Sequence, residues 1–407
     1  MNDTLLDAAR LITSTLRLDA APSEVAARLA AASDMDWAAL VHHADGHTLT
    51  PLLVDVWRQS GALNFVPPSV RERMAKAYAD NAVRSAYIRE ELLDVHHLLA
   101  GAGVPHLVLK GWPLVERLYT DPAQRFMSDQ DFLVPADRAE AGHQALRAAG
   151  FRPLPPKDEW IEKHLPSLWR NDGYDWGGYL FDPHYPRPVE LHVRLWERGW
   201  RGLNVRDLPA AWAGAQTRIV AGVPLQVLSD EDTLVHLAMH FAGHLVEREA
   251  RLNQLLDLAR FVRQAAGLDW ERAAAQAAAA NVARFVYASL LLAHEIFASP
   301  LPPGHVWRQL QQATPPAFQA WLAQHGVADA LTSDYRRRDK GQGYRLTFLA
   351  ASSVTERLGI VRFAALPPVG QLVAKYRPRR RWLGPLLYPR YIAERARDYG
   401  RGLWGDD

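Results

Sequence analysis

The sequence predicts an α+β fold in which a core of short strands and helices lies between two helical regions. Apolar residues recur at helical spacing over residues 4–100, and this pattern returns from 231 to 322. Three short apolar runs between these regions, at 104–109, 129–134 and 189–195, are typical of buried strands. The change of pattern therefore places the sheet in the middle of the chain.

The N-terminal region is predicted to contain about four helices, because Pro22-Ser23 and Pro67-Pro68-Ser69 are typical of helix starts. Ser229, with Asp232 three residues later, predicts where the helices resume after the core. The core between them is predicted as strand 104–109, a helix to 119, strand 129–134, a helix over 136–149, strand 189–195 and a hairpin over 218–227.

We expect four regions along the chain. The alanine-rich stretch 273–298 contains Gln276, Asn281 and Arg284, so we interpret it as a bundle helix and not as a membrane span. The predicted regions are a helical N-terminal region at 1–103, an α+β core at 104–228, a helical C-terminal domain at 229–334 and a basic, aromatic C-terminal segment at 335–407.

Composition narrows the possible functions. Of the 407 residues, 48% are hydrophobic and 23% are charged, which is typical of a folded protein with a sizeable core. The chain has no cysteine, which excludes disulfides, thiolate metal sites, iron–sulfur clusters and cysteine nucleophiles. The N-terminus lacks a signal-peptide pattern and no uninterrupted apolar run reaches 18 residues, so we expect a cytoplasmic protein without a transmembrane segment.

Charge is distributed unevenly along the chain. The formal net charge is +2, yet residues 335–407 contain 16 Lys or Arg residues and 6 Asp or Glu residues. Basic and aromatic residues alternate at 335–338 and 376–382. This segment is predicted to meet an anionic partner, for which RNA, a membrane surface and the acidic remainder of the same molecule are the alternatives.

Two aspartates provide the clearest chemical signal. Asp129 and Asp131 alternate along a predicted strand, so both side chains project from the same face. Paired carboxylates at this spacing can ligate Mg²⁺ or Mn²⁺, which bind triphosphate oxygens. Glu190, on another predicted strand, supplies a third carboxylate, although an Asp-x-Asp tripeptide by itself is common.

A phosphate-binding turn is predicted just upstream. Lys110-Gly111 ends one strand and opens a helix, where backbone N–H groups and a lysine can receive phosphates. His192 lies two residues after Glu190, on the same face of its strand, and is a candidate to support the metal ligands.

These residues, in this order, resemble an uncharacterised nucleotidyltransferase family that is often encoded in biosynthetic gene clusters. The resemblance implies a mixed β-sheet and Mg²⁺-dependent transfer of a nucleoside monophosphate from an NTP, such as ATP, to an acceptor. The matching segments are 106–111, 114–119, Arg125, 129–134, 190–192 and 232–240. A similar pattern, Arg-x-x-Ser-Asp-x-Asp, occurs in toxin–antitoxin nucleotidyltransferases and is matched by Arg125, Ser128, Asp129 and Asp131.

The resemblance implies a role for each matched residue. Asp129, Asp131 and Glu190 would be the catalytic metal ligands, with Glu190 as an alternative base toward the acceptor hydroxyl. Lys110, Gly111, Arg125 and Ser128 would bind the nucleotide. The acceptor stays open between a small molecule, a peptide or protein, and a tRNA.

One departure from the pattern of the wider nucleotidyltransferase superfamily leaves a second function open. The usual Gly-Ser or Gly-Gly turn is replaced by Gly111 followed by Trp112-Pro113, so no hydroxyl is available there and proline removes one backbone donor. The alternative is therefore a catalytically inactive accessory protein that binds nucleotide or nucleic acid through its basic C-terminal segment.

A histidine stripe offers a third chemistry. His236, His240 and His244 recur every fourth residue of one predicted helix. His236 and His244 would lie roughly 12 Å apart along the axis, so a single zinc ion could use two of the three at most. Interhelical packing, pocket lining and zinc binding are the alternatives, and a histidine-metal hydrolase would need a further ligand near His236 and His240.

Overall fold

The structure is a computed structural model that describes residues 3–154, 161–170, 173, 177–265, 267–332, 340–378 and 380–404. Its N-terminal part contains one α-helix more than the four that the sequence predicts. These helices are α1 (Asp3–Thr15), α2 (Pro22–Ala30), α3 (Trp37–Gly46), α4 (Thr50–Gln59) and the long α5 (Pro68–Gly101).

The central region forms a mixed sheet, which confirms the predicted α+β fold. Seven strands appear in the part of the chain that the structure describes, in the order β3-β4-β5-β2-β1-β7-β6. They are β1 (Leu107–Val108), β2 (Gln130–Leu133), β3 (Arg152–Pro153), β4 (Leu168–Trp169), β5 (Val189–His192), β6 (Gln216–Val220) and β7 (Val223–Val227). Two short helices, α6 (Trp112–Leu118) and α7 (Ala139–Ala148), connect the strands where the sequence predicts helices.

The observed strands β1 and β5 are shorter than the apolar runs that predict them. Strand β1 begins only at Leu107, since Pro105 cannot donate a ladder hydrogen bond. Strand β5 ends at His192 because the next two N–H groups, of Val193 and Arg194, donate to the Lys163 carbonyl. The predicted hairpin is confirmed, and β6 and β7 pair in antiparallel fashion around Ala221-Gly222.

The two faces of the sheet have different surroundings because side chains alternate along each strand. One face is apolar and packs with residues of α5, and its members include Val108, Phe132, Val189 and Leu191. The opposite face carries Asp131, Glu190 and His192. The sheet therefore presents these three polar side chains on the face that lies away from α5, while Gln130 on the other face donates to Glu91 of α5.

The helices after the sheet begin where Ser229 caps the first of them by accepting a hydrogen bond from the Asp232 N–H at 3.1 Å. Their buried residues share one hydrophobic cluster with α1–α4. Among the described residues, none of the helices has the length and apolarity needed to cross a membrane. These helices are α8 (Asp230–Val246), α9 (Leu252–Gln264), α10 (Trp270–Ala279), α11 (Ala283–Phe297), α12 (Gly304–Gln312), α13 (Pro316–Trp321) and α14 (Val327–Thr332).

The basic C-terminal segment is mainly helical where the structure describes it. The arginine run 336–338 and Arg379 lie outside the described residues. The division of the chain into four regions, including the boundary between residues 334 and 335, stays a prediction. The elements are α15 (Lys340–Leu349), α16 (Val354–Ala365), α17 (Val369–Tyr376), a 3₁₀ helix (Arg381–Leu387) and α18 (Tyr388–Trp404).

Helix α16 is held against the body by a close backbone approach and by a buried ion pair. A Cβ atom on Gly202 would lie 2.4 Å from the carbonyl carbon of Gly359, so only glycine permits this contact. Beside it, Arg284 of α11 donates to Glu356 of α16 at 2.8 Å, and both side chains are almost fully buried. Glu356 also accepts from the Asn204 and Ser352 N–H groups.

Replacing Glu356 by leucine should destabilise the protein by about 3–5 kcal/mol, because Arg284 would keep a buried charge without its partner. The measurement is the free energy of unfolding in urea. The double variant Arg284→Met/Glu356→Leu should recover much of this loss. Arg10→Gln, which removes an exposed pair with Asp7, is the control and should cost less than about 1 kcal/mol. Equal losses in Glu356→Leu and Arg10→Gln would contradict the prediction.

Candidate active site

The site begins with the register of two parallel strands. Strands β2 and β5 pair so that Asp131 lies opposite Glu190 and Leu133 lies opposite His192. Residues directly opposite each other share a face, and so do residues two positions apart on one strand. Asp131, Glu190 and His192 are therefore brought to one face from strands that lie about 60 residues apart in sequence.

Lys110, which follows β1, lies between the two aspartates. Its Nζ is 2.8 Å from Asp129 Oδ1 and 2.5 Å from Asp131 Oδ2. Burial alone would lower the pKa of Lys110, but the charges of Asp129 and Asp131 outweigh it and raise this pKa. Burial would likewise raise the pKa of Asp131, yet Lys110 and His192 hold it well below its usual value. The three groups are therefore a charged network within the protein.

A histidine lies on the other side of Asp131. His192 Nε2 is 3.2 Å from Asp131 Oδ1 and 3.4 Å from Glu190 Oε2. Burial would lower the pKa of His192, but the charge of Asp131 and the two hydrogen bonds raise it. Glu190 also receives a hydrogen bond from Ser167 at 3.0 Å and lies 3.3 Å from His164. Although burial favours its neutral form, the hydrogen bond from His192 contributes most to a pKa of about 2 for Glu190.

The donor set fits a divalent cation. Asp131, Glu190 and His192 each offer a ligand atom within 4.8 Å of the others, whereas Asp129 does not belong to this group among the residues that the structure describes. Carboxylate oxygens suit Mg²⁺ or Mn²⁺, and an imidazole nitrogen suits Mn²⁺ better than Mg²⁺. The Asp131 side chain is 2% exposed, and Lys110 pairs with one of its two oxygens.

A cleft opens beside these groups, between the sheet and the start of α9. Its walls combine the Lys110-Gly111 turn and the segment before β2 with residues of α8 and α9. The charged and polar side chains that line it are Lys110, Arg125, Ser128, Asp129, His240, Arg251, Asn253, Gln254 and Asp257. The four predicted nucleotide-binding residues, Lys110, Gly111, Arg125 and Ser128, therefore line one cleft together with Asp129.

Arg125 is held in place by an aspartate that the sequence analysis did not single out. Its Nη2 donates to Asp257 Oδ2 of α9 at 2.7 Å, and both side chains are buried. The Tyr119 hydroxyl donates to Asp257 Oδ1 at 2.6 Å. Because Arg125 precedes β2 and Asp257 belongs to α9, this pair joins the sheet to the helices across the cleft.

The turn at Gly111 has the geometry that glycine alone adopts easily. Gly111 has φ +79° and ψ −121° and precedes α6. Pro113 falls in the first turn of α6, where its missing N–H has no partner within the helix in any case. The Trp112 side chain is buried and donates to Glu116 Oε1 at 2.9 Å, so it serves packing.

The histidine stripe on α8 approaches the site from the side opposite the sheet. His240 lines the cleft and lies 3.2 Å from the Gln254 amide nitrogen. Neither His236 nor His240 belongs to a group of three potential metal ligands in the described part of the chain, whereas His244 lies near Glu247 and Glu249. The histidine-metal hydrolase thus lacks the further ligand that it requires.

Comparison with known proteins identifies a family for this chain. The family described as uncharacterised nucleotidyltransferase matches residues 33–298, which is more than half of the chain. No curated protein and no solved structure shows a significant match.

His236 provides a test of the electrostatics around the site. It is 5% exposed, and neither ring nitrogen has a hydrogen-bond partner in the described structure. Burial, together with the charge of Lys110, lowers its pKa to about 3. As pH falls, the unfolded chain binds this proton before the folded protein does, so the free energy of unfolding decreases between pH 6.5 and 3, whereas above pH 6.5 neither state carries the proton.

His236→Leu should raise the free energy of unfolding at pH 7 and make its pH dependence between pH 6 and 4 shallower by up to about 1.4 kcal/mol per pH unit. Urea unfolding at several pH values measures both effects. His305→Gln, at an exposed histidine paired with Glu271, is the control for loss of a histidine away from the site. An unchanged slope in His236→Leu would show that His236 is already charged or solvated.

Proposed function

The chain belongs to the uncharacterised nucleotidyltransferase family, and we propose that it transfers a nucleoside monophosphate from an NTP to an acceptor, with release of pyrophosphate. The acceptor class stays open between a small molecule, a peptide or protein, and a tRNA. The observation that carries the proposal is the in-register pairing of Asp131 with Glu190 beside a cleft that contains Lys110.

The charges of the cleft suit a triphosphate. Lys110, Arg125 and Arg251 line it, and α9 begins there at Leu252 with its positive helix end. Gly111 and Ser128 lie on the same walls and can contribute backbone and hydroxyl donors. These residues would bind and orient the phosphates, which is the main work of the protein in phosphoryl transfer.

We assign the metal-ligand role to Asp131 and Glu190, with Asp129 and His192 as the neighbouring donors. A bound Mg²⁺ or Mn²⁺ ion would supply charge stabilisation for the triphosphate and the leaving group. A pKa of about 2 makes the Glu190 carboxylate a weak base, so we favour its role as a ligand over that of a base toward the acceptor.

Lys110 can exchange its aspartate partners for a phosphate group of the nucleotide. Its ammonium is paired with both aspartates, and a nucleotide phosphate is an alternative anion for the same group. Movement of Lys110 toward a phosphate would release the carboxylates to bind a cation. This role compensates for the hydroxyl that the Gly111-Trp112-Pro113 turn lacks.

Calorimetric titration with ATP, GTP, CTP and UTP in the presence of Mg²⁺ tests the proposal. We expect at least one NTP to bind, and its affinity to fall at least roughly tenfold in the Asp129→Asn/Asp131→Asn variant, because the metal-dependent phosphate contacts are lost. Asp137→Asn, at an exposed aspartate just after β2, is the matched control and should bind like the parent.

Binding that is independent of Mg²⁺ and unchanged in the double variant would contradict the assigned ligands. Absence of binding by the parent would favour the accessory function through the basic C-terminal segment.

Lys110→Met should increase the affinity for Mn²⁺ in the absence of nucleotide, since it removes the cation that competes for Asp129 and Asp131. Electron paramagnetic resonance of free Mn²⁺ during a titration measures this affinity directly. The same variant should bind the NTP more weakly than the parent does. Unchanged or weaker Mn²⁺ binding by Lys110→Met would contradict the proposed exchange of aspartate for phosphate at Lys110. Lys163→Met provides a control at a nearby lysine.

A further inference from the structure

The C-terminal helices expose an unusual amount of apolar surface. Nine of the 14 exposed large hydrophobic side chains in the described part of the chain lie between residues 348 and 392. Soluble surfaces seldom carry such a concentration unless it has a partner. This region is separate from the cleft that contains Lys110.

Helix α16 shows the pattern most clearly. Val354, Leu358 and Val361 are 70%, 65% and 58% exposed, and at 100° per residue all three fall within one 60° sector of the helix. The opposite side of α16 holds Glu356 and Ile360, which are buried. The Gly202–Gly359 contact and the Arg284–Glu356 pair determine which side faces the body, so the apolar stripe faces solvent as a consequence of the fold.

Basic residues border this stripe. Arg357 and Arg362 are exposed and lie on either side of it, about 60–80° from Val354 around the helix axis. Between 340 and 397 the described acidic residues are Glu356, which pairs with Arg284, and Glu394, which pairs with Lys375. The exposed charge of this surface is therefore almost entirely positive.

A second exposed apolar group lies in the 3₁₀ helix that follows α17. Trp382 and Leu386 of the 3₁₀ helix are 68% and 71% exposed. The Tyr388 hydroxyl at the start of α18 donates to the Pro367 carbonyl, between α16 and α17, at 2.7 Å. This hydrogen bond links the residue after the 3₁₀ helix to the segment that follows α16, and Arg377, Arg380 and Arg390, close to Trp382 and Leu386 in sequence, are exposed.

We propose that this surface binds an anionic lipid bilayer from the aqueous side, with the apolar stripe of α16 in the interfacial region and the arginines at the lipid headgroups. An apolar stripe bordered by arginines, with a nearby tryptophan, is the composition of interfacial helices. Arginine side chains can keep their charge among the headgroups while their stems cover apolar surface.

The observations favour a bilayer over the other occupants. RNA binding uses phosphate contacts and aromatic stacking, which give no role to the exposed valines and leucines of α16. A twofold dimer through this stripe would bring Arg357 and Arg362 of both copies together, and like charges at an interface oppose association. An anionic bilayer offers apolar surroundings for the stripe of α16 and negative headgroups for the arginines that border it.

Co-sedimentation of the full-length protein with vesicles tests the proposal. We expect binding to vesicles of phosphatidylcholine with 30% phosphatidylserine, weaker binding to phosphatidylcholine alone, and release as salt increases. Leu358→Gln/Val361→Gln should lower the partition coefficient at least roughly tenfold, because two apolar side chains would no longer be transferred from water into the bilayer interface. Ile219→Gln, at a 67% exposed residue of β6, is the matched control and should bind like the parent.

Three results would overturn the proposal. The first is equal binding by Leu358→Gln/Val361→Gln and the parent, and the second is no binding to anionic vesicles at low salt. The third is a dimer of the parent protein, seen by sedimentation velocity, that is dissociated by Leu358→Gln/Val361→Gln, together with no binding of the parent to vesicles. Circular dichroism of the variant should match the parent, since both substituted side chains are exposed.

Discussion

Asp131 is buried on the face of a sheet, and the site depends on the lysine and the histidine that make this burial possible. An isolated carboxylate in such surroundings would be protonated or strongly destabilising. Lys110 and His192 contact one oxygen each, and His192 also reaches Glu190. The network requires β1, β2 and β5 to lie side by side, so the charges and the strand order support each other.

The pleat of the same sheet separates the polar side chains of the site from apolar side chains that are their direct neighbours in sequence. Phe132 packs with α5 while its neighbour Asp131 faces the site, since successive side chains point in opposite directions. The helices after the sheet then close the polar face. Arg125 and Asp257 join the two parts across the cleft, and burial together with the charge of Lys110 lowers the pKa values of His236 and His240 on α8.

The C-terminal helices separate the two proposed activities in space. Helix α16 is held against the body through Gly359 and Glu356, which turns its apolar stripe toward solvent, while the cleft lies at the sheet. The two proposals can therefore be tested with separate substitutions. The proposed membrane contact would give the basic segment a role that does not require it to bind nucleic acid.

The sequence by itself determined the fold class, the order of core elements, and the fact that Asp131, Glu190 and His192 share a face if their strands are neighbours. It determined these because alternation, turns and helix caps are local properties of the chain. It did not reveal the partners of these groups: His164 and Ser167 at Glu190, and Asp257 at Arg125, have no local signal. Only the tertiary structure decided that Lys110 lies between the aspartates and that His192 takes the place expected for Asp129 in the tight ligand group. The reason is physical, since strand register and the contacts between distant segments depend on packing across the whole chain, which a local pattern does not record.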